Sequence, residues 1–125
     1  IGIVTVVPNV VPLIRRNAAA AQLDGRIVTA RNVGIPVLAL ESTGDLSAAI
    51  AAEAKKAVVE NNVEVIVLGC TGMVDVAEEV KRLLKDDGFD IPVIEAAKSA
   101  VMMLELYVKM GLKHSRLTYL PPAEK

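Results

Sequence analysis

Residues 65–74 read VIVLGCTGMV and place the only cysteine of the chain, Cys70, just beyond an aliphatic run and between two glycines. The aliphatic run predicts a strand over residues 63–68 that is buried on both faces. Gly69 and Gly72 favour a tight turn and allow a ligand to approach the backbone closely. The motif therefore predicts that the thiol lies directly after the carboxyl end of a core strand.

Strand and helix patterns alternate on both sides of this motif. Apolar runs predict strands over residues 1–7 and 91–94, while residues 26–32 and 35–41 are both candidates for a further strand. Apolar residues at helical spacing predict helices ending near residue 21, running from Ser42 or Thr43 to 60, over 74–85, and over 96 to about 112. The alternation predicts an α/β fold: a doubly wound parallel sheet of about four strands with helices on both faces.

Length, charge and composition exclude several classes of protein. The 125 residues suffice for one domain with a core that needs no disulfide or metal. Scattered charges (14 Lys and Arg against 15 Asp and Glu) and few aromatic side chains argue against a nucleic-acid partner. Every apolar run is far shorter than the roughly 20 residues of a membrane-spanning helix. With one cysteine and no secretory signal, we expect a cytoplasmic location and no membrane partner.

Two features lead us to expect a longer protein. The sequence opens, without a methionine, in a predicted buried strand, whereas chain termini usually lie free at the surface. The last predicted helix carries apolar side chains around more of its surface than one buried face requires. We therefore expect residues 1–125 to be a fragment, with another domain or a partner subunit covering that helix.

Polar or reactive side chains stand at three predicted strand ends, where parallel α/β sheets bind ligands. Thr5 lies near the end of the first strand, Cys70 and Thr71 follow the third, and Glu95 follows the last. The turn at Cys70 leads into a predicted helix, whose free N–H groups and dipole would stabilise a thiolate. The same donors would bind a carboxylate or a ring carbonyl of a substrate.

Each of these candidates also has a structural interpretation. Cys70 can be a small apolar side chain of the core. The Thr5 hydroxyl can form a hydrogen bond with a nearby backbone group, and the Glu95 carboxylate can stabilise the start of the last helix. His114 follows the last helix among polar neighbours and is expected at the surface. The sequence has no cluster with metal-ligand spacing and no glycine-rich nucleotide loop, so we predict no metal and no cofactor.

Three segments resemble the second half of the Asp/Glu/hydantoin racemase superfamily, nearest its hydantoin and allantoin racemase branch. They are VEVIVLGCTGM at 63–73, IPVIEAAKSAVMMLELYVKMGLKHS at 91–115, and IGIVTVVPNVVPLIRR with RNVGIPVLALE at 1–16 and 31–41. The resemblance covers nearly the whole chain. It implies one lobe of a two-lobe fold in which each lobe supplies one catalytic cysteine, with no metal or pyridoxal cofactor.

The resemblance assigns roles to individual residues. Cys70 matches the second-lobe cysteine, Thr71 and Gly72 match its turn, and Glu95 stands where the family more often has Asp-Pro. Cys70 is the predicted catalytic residue, and Thr71, Gly72 and Glu95, together with Thr5, are the predicted substrate-binding set. Residues 1–95 would form the second lobe, and residues 96–125 a C-terminal helix and tail that pack toward the first lobe.

The resemblance implies a racemase that inverts the Cα of a hydantoin, allantoin or amino acid by proton transfer between two thiols. It implies a small-molecule substrate and a homo-oligomer of the full-length protein. The first-lobe cysteine is absent from these residues. Two alternatives therefore stay open: a one-cysteine enzyme similar to arylmalonate decarboxylases, and a small-molecule binding or regulatory domain of the same fold.

Overall fold

The computed structural model describes residues 1–40 and 46–122. Its strands are β1 (Gly2–Thr5), β2 (Thr29–Asn32), β3 (Ile66–Leu68) and β4 (Val93–Glu95). They form one parallel sheet in the order β2-β1-β3-β4, which confirms the predicted sheet. Of the two candidates for the second strand, residues 29–32 enter the sheet, whereas Val37–Ala39 forms a 3₁₀ turn.

In the described part of the chain, four helices flank the sheet: α1 (Val11–Ala20), α2 (Leu46–Asn61), α3 (Ala77–Asp86) and α4 (Ala96–Lys109). α2 and α3 pack on one face, where their apolar side chains join those of β1 and β3 in the core. The most deeply buried members of this core, each 0% exposed, are Val4, Ile50, Ala54, Ala57, Ile66, Met73 and Val80. α1 lies on the opposite face, so helices occupy both faces, as predicted.

The ends of two helices depend on residues with left-handed backbone. Asn62, which directly follows the last residue of α2, has φ 53° and so ends the right-handed helix there. This agrees with the predicted end at residues 61–62. The predicted start of α3 at residue 74 is wrong, because Asp75 has φ 56° and cannot belong to a right-handed helix. α3 therefore begins at Ala77. The predicted start of α2 at Ser42 or Thr43 lies outside the described residues.

α4 begins at Ala96 as predicted and differs from the other helices in its exposure. Every described residue from 100 to 122 is exposed, including the apolar side chains of the helix. Val108 is 77% exposed, Val101 65% and Leu104 62%. Among the described residues, no helix combines the length and apolar character needed to cross a membrane.

Candidate active site

The carboxyl ends of β1 and β3 meet at the point where the strand order reverses. From β1 the chain continues to β2 on one side, and it then returns to place β3 on the other side of β1. Open α/β sheets bind ligands at such a switch point, in the crevice beyond the carboxyl ends of the strands. Thr5 ends β1 and Cys70 follows β3 by two residues, so both lie at this point.

Gly69 brings the end of β3 close to β1. Its N–H donates a hydrogen bond to the Val4 carbonyl oxygen at 2.8 Å. A Cβ atom at position 69 would lie 2.6 Å from Ile3 Cγ2, which is closer than real side chains approach. Glycine is required here by packing between the two strands, a reason that the sequence pattern did not reveal.

The residues after Gly69 form a turn that is anchored in the core. The Met73 N–H donates to the Cys70 carbonyl oxygen at 3.1 Å, and the Met73 side chain is fully buried. Thr71 and Gly72, at the centre of the turn, are exposed. Their backbone N–H groups donate no hydrogen bond to any acceptor in residues 1–40 or 46–122. The turn therefore contains two N–H groups that have no acceptor in the described part of the chain.

The Cys70 thiol is half-buried and packs against the edge of the core. Because α3 begins seven residues later, at Ala77, its N-terminus is not part of the Cys70 turn. The helix therefore begins three residues later than expected, and stabilisation of the Cys70 thiolate by its N-terminus stays a prediction. The donors that adjoin Cys70 in the sequence include the N–H groups of Thr71 and Gly72.

Thr5 is fully buried at the end of β1. Its hydroxyl donates a long hydrogen bond, 3.5 Å, to the Gly69 carbonyl oxygen and so links the ends of β1 and β3. This contact agrees with the structural interpretation of Thr5. Its role in substrate binding stays a prediction.

Glu95 lies at the end of β4, paired in register with Leu68 of β3. It occupies the N-cap position of α4, but its carboxylate makes no capping hydrogen bond; the Ser99 hydroxyl instead donates to the Glu95 carbonyl oxygen at 2.9 Å. Glu95 lines a cavity of about 330 Å³ with both polar and apolar walls. The other lining residues are Asp75, Ala77, Glu78, Val93, Ile94, Lys98, Ser99 and Met102.

A second cavity, of about 320 Å³, is lined, among the described residues, by Val37, Leu38, Leu40 and Gly72. The segment after β2 lies near this cavity because its backbone forms hydrogen bonds with residues at and just after the end of β1. The Val33 N–H donates to the Thr5 carbonyl oxygen at 3.0 Å, and the Ile35 N–H donates to that of Val6 at 3.2 Å.

Sequence reasoning missed the contributions of Lys98 and of the Val37–Ala39 turn to these cavities. The position of Lys98 could have been predicted, since it lies three residues after Glu95 on the first turn of a predicted helix and so on the same side of that helix. The Val37–Ala39 turn carries no such signal, because residues 35–41 have the composition of an ordinary strand.

Comparison with known proteins agrees with this architecture. Residues 1–104 match the sequence model of the family described as Asp/Glu/Hydantoin racemase. The chain is 30% identical to a hydantoin racemase from Pseudomonas sp. (strain NS671) and 32% identical to one from Rhizobium meliloti, each over 126 residues. These alignments cover 99% of this chain but 49% and 50% of the relatives, so the chain spans about half the length of the curated relatives it matches.

Solved structures support the same relationship. The fold is similar to that of allantoin racemase from Pseudomonas fluorescens, with a TM-score of 0.80 and 34% identity over 99% of this chain and 52% of that one. Allantoin racemase from Klebsiella pneumoniae gives a TM-score of 0.80 and 29% identity over 92% of this chain and 45% of that one. The fold, the Gly-Cys turn at the switch point and the match over residues 1–104 together show that the chain belongs to the Asp/Glu/hydantoin racemase family.

Proposed function

We propose that the protein is a racemase or epimerase that inverts a carbon next to a carbonyl group, with Cys70 as one acid/base and without a metal or cofactor. The observation that carries this proposal is the half-buried Cys70 thiol at the sheet's switch point, next to the N–H groups of Thr71 and Gly72, which have no acceptor within residues 1–40 and 46–122. Family membership supports the same reaction class. The substrate is a hydantoin, allantoin or an amino acid.

The chemistry follows from inversion at a carbon acid. The Cys70 thiolate removes the proton from the Cα of one enantiomer, and the C–H electron pair moves onto the adjacent carbonyl to form an enolate. A second thiol then donates its proton to the opposite face, which yields the other enantiomer and leaves the two sulfurs with exchanged protonation states. The Thr71 and Gly72 N–H groups stabilise the negative charge on the enolate oxygen.

The second thiol must come from outside these 125 residues, which contain one cysteine. We propose that residues 1–95 form one lobe of a two-lobe protein and that the substrate lies between the lobes. Residues 96–125 would then pack toward the other lobe, and the exposure of α4 supports this arrangement. We place the protein in the cytoplasm, where reducing conditions keep catalytic thiols free, and we expect the full polypeptide to be a homo-oligomer.

Hydantoins are the favoured substrate class, because the relatives are hydantoin and allantoin racemases. We propose that the turn residues Thr71 and Gly72 bind the ring carbonyl through their N–H groups. Glu95 would accept a hydrogen bond from a ring N–H at the edge of its cavity. Thr5 would act from beneath the site, by holding the ends of β1 and β3 together.

The Cys70→Ser variant of the full polypeptide tests this proposal. A hydroxyl is far too weak an acid to replace a thiol near neutral pH, so inversion should fall by more than the roughly 10²–10⁴-fold typical of one general acid or base. Because the opposite thiol still serves its own face, one enantiomer should continue to exchange its Cα proton with retention. Optical rotation and deuterium uptake from heavy water, measured for each enantiomer, separate the two effects.

The alternatives give different results in the same assay. Inversion at a near-parental rate in Cys70→Ser would show that Cys70 is not an acid/base, and the binding-domain interpretation would then be preferred. A parent protein that exchanges protons on one face only, and loses all exchange in the variant, would be a one-cysteine enzyme. An unchanged thermal unfolding midpoint is the control for folding of the variant.

A further inference from the structure

Three non-glycine residues in the described parts of the chain have left-handed backbone, and Asp75 differs from the other two in its place. Gln22 (φ 57°) lies two residues after α1, and Asn62 (φ 53°) lies directly after α2. Helices commonly end at a left-handed residue, so the conformations of Gln22 and Asn62 are explained by their helices. Asp75 (φ 56°) instead stands two residues before α3. Because Asp75 ends no helix, its conformation needs another explanation.

Asp75 lies between two residues that are fixed in the core. Met73 is fully buried, and Ala77, the first residue of α3, is 9% exposed. Only residues 74–76 join them. The Met73 N–H donates to the Cys70 carbonyl oxygen at 3.1 Å, so the position of Met73 also determines that of Cys70. The backbone at Asp75 therefore sets the path from the turn that carries the thiol to α3.

A right-handed residue at position 75 would give this segment a different path. It would extend α3 toward Met73, as the apolar pattern from residue 74 predicts, and would turn the preceding residues relative to the helix. α3 is held in the core by three buried side chains, whereas Thr71 and Gly72 are exposed. The turn at Cys70 is therefore the part that would have to move.

We infer that Asp75 is a positioning residue, whose left-handed backbone places the Cys70 thiol for proton transfer. The inference rests on the proposed function and deepens it. Aspartate adopts this conformation more readily than most residues other than glycine, whereas the alanine Cβ lies too close to the following carbonyl oxygen. The Asp75 side chain also lines the cavity that contains Glu95, so the test must separate the backbone of residue 75 from its charge.

Three substitutions at position 75 of the full polypeptide separate these effects. Asp75→Gly and Asp75→Asn remove the charge and permit the left-handed backbone, whereas Asp75→Ala removes the charge and disfavours that backbone. Asp75→Ala should lower kcat by about tenfold to a hundredfold with little change in KM, since misplacement of a catalytic group by about 1 Å can cost that much. The glycine and asparagine variants should retain most of the parent kcat.

Asn62→Ala is the matched control, because Asn62 has the same backbone conformation but precedes β3, at the end of that strand opposite to Cys70. Both alanine variants should lower the thermal unfolding midpoint by a few degrees, since each places a Cβ in the left-handed region. Only Asp75→Ala should also lower kcat. An equal loss of kcat in all three Asp75 variants would assign the effect to the carboxylate and overturn the inference, as would a parental kcat in Asp75→Ala.

The glycine and asparagine variants decide the matter if Asp75→Ala does not fold. Loss of activity in either variant would then overturn the inference, because both permit the left-handed backbone. Retention of activity in both would support it, because residue 75 would then supply its backbone conformation and not its charge.

A measurement that does not depend on racemisation keeps the inference separate from the proposed function. The rate constant for alkylation of Cys70 by iodoacetamide should differ several-fold from the parent value in Asp75→Ala, and should match it in Asp75→Gly and Asn62→Ala. That pattern in a protein that racemises no hydantoin would refute the proposed function and support the positioning of the thiol by Asp75. Equal rate constants in all four proteins would overturn the inference and leave the racemase proposal standing.

Discussion

The carboxyl ends of β3 and β4 lie side by side and lead into helices of opposite character. β3 leads through the Cys70 turn to α3, which buries Ala77, Val80 and Leu84. β4 leads through Glu95 directly into α4, of which no described residue is buried. Both helices have apolar residues at helical spacing, but within residues 1–40 and 46–122 only α3 buries any of them. Apolar periodicity thus predicts a helix and the width of its apolar surface, and it does not identify what covers that surface.

The polar faces of the two helices reinforce this contrast. On α3, Arg82 pairs with Glu79 at 2.7 Å and with Asp86 at 2.6 Å, forming a charged outer face opposite the buried stripe. On α4, Glu105 and Lys109 form one pair at 2.7 Å among apolar side chains that are also exposed. α3 therefore has one buried apolar face and one charged, solvated face, as a surface helix does. α4 is apolar over more of its surface, a pattern typical of helices that are covered on several sides.

Of the leucine-to-alanine substitutions on these two helices, Leu84→Ala should reduce the free energy of unfolding most. Leu84 is 1% exposed in the core, and truncation of a buried leucine to alanine costs about 2–5 kcal/mol through lost burial and a residual cavity. Urea denaturation followed by circular dichroism would measure the change in free energy of unfolding. A loss below about 0.5 kcal/mol, the range of surface substitutions, would mean that α3 is not packed as described.

Glu95→Gln should reduce activity by an intermediate amount. Hydrogen bonds to charged groups contribute about 1.5–3 kcal/mol, so loss of the Glu95 charge should lower kcat/KM of the full polypeptide by about tenfold to a hundredfold. Glu64→Gln is the control, since Glu64 is exposed just before β3, at the end of that strand opposite to the Cys70 turn, and should tolerate the same change. Equal effects of the two variants would remove Glu95 from the substrate-binding set.

Leu104→Ala should have the smallest effect on the 125-residue chain. Leu104 is 62% exposed, so its truncation should change the free energy of unfolding of this chain by no more than about 0.5 kcal/mol. In the full polypeptide the same substitution should be clearly more destabilising, because we propose that another lobe covers α4. Equal and small effects in both proteins would contradict that packing.

Much of the fold could be predicted from sequence, because uninterrupted aliphatic runs are typical of strands buried on both faces. The position of Cys70 beyond β3 follows directly from the run that precedes Gly69. The choice between residues 26–32 and 35–41 did not follow, since both have strand-like composition. Residues 29–32 pair with β1, whereas in the later segment the Ile35 N–H donates to the Val6 carbonyl oxygen, just beyond β1, and Val37–Ala39 then forms a 3₁₀ turn. Local composition does not encode this difference.

The candidate site was less predictable than the fold. The start of α3 depends on the left-handed backbone of Asp75, which apolar periodicity does not encode. Gly69 was interpreted as a turn residue, and the reason for it is the approach of Ile3 from a neighbouring strand. The proximity of Leu40 to Gly72 joins residues 32 positions apart, and only the folded sheet brings them together.

Binding of the substrate at a reachable Cys70 thiol can be tested by alkylation of the folded full polypeptide with iodoacetamide. Mass spectrometry would follow modification of the peptide that contains Cys70, alongside racemisation activity and with or without a saturating hydantoin. We predict that Cys70 is alkylated in the folded protein, that activity falls in proportion, and that the hydantoin slows the reaction. Modification only after denaturation, or modification without loss of activity, would show that the substrate does not bind at Cys70.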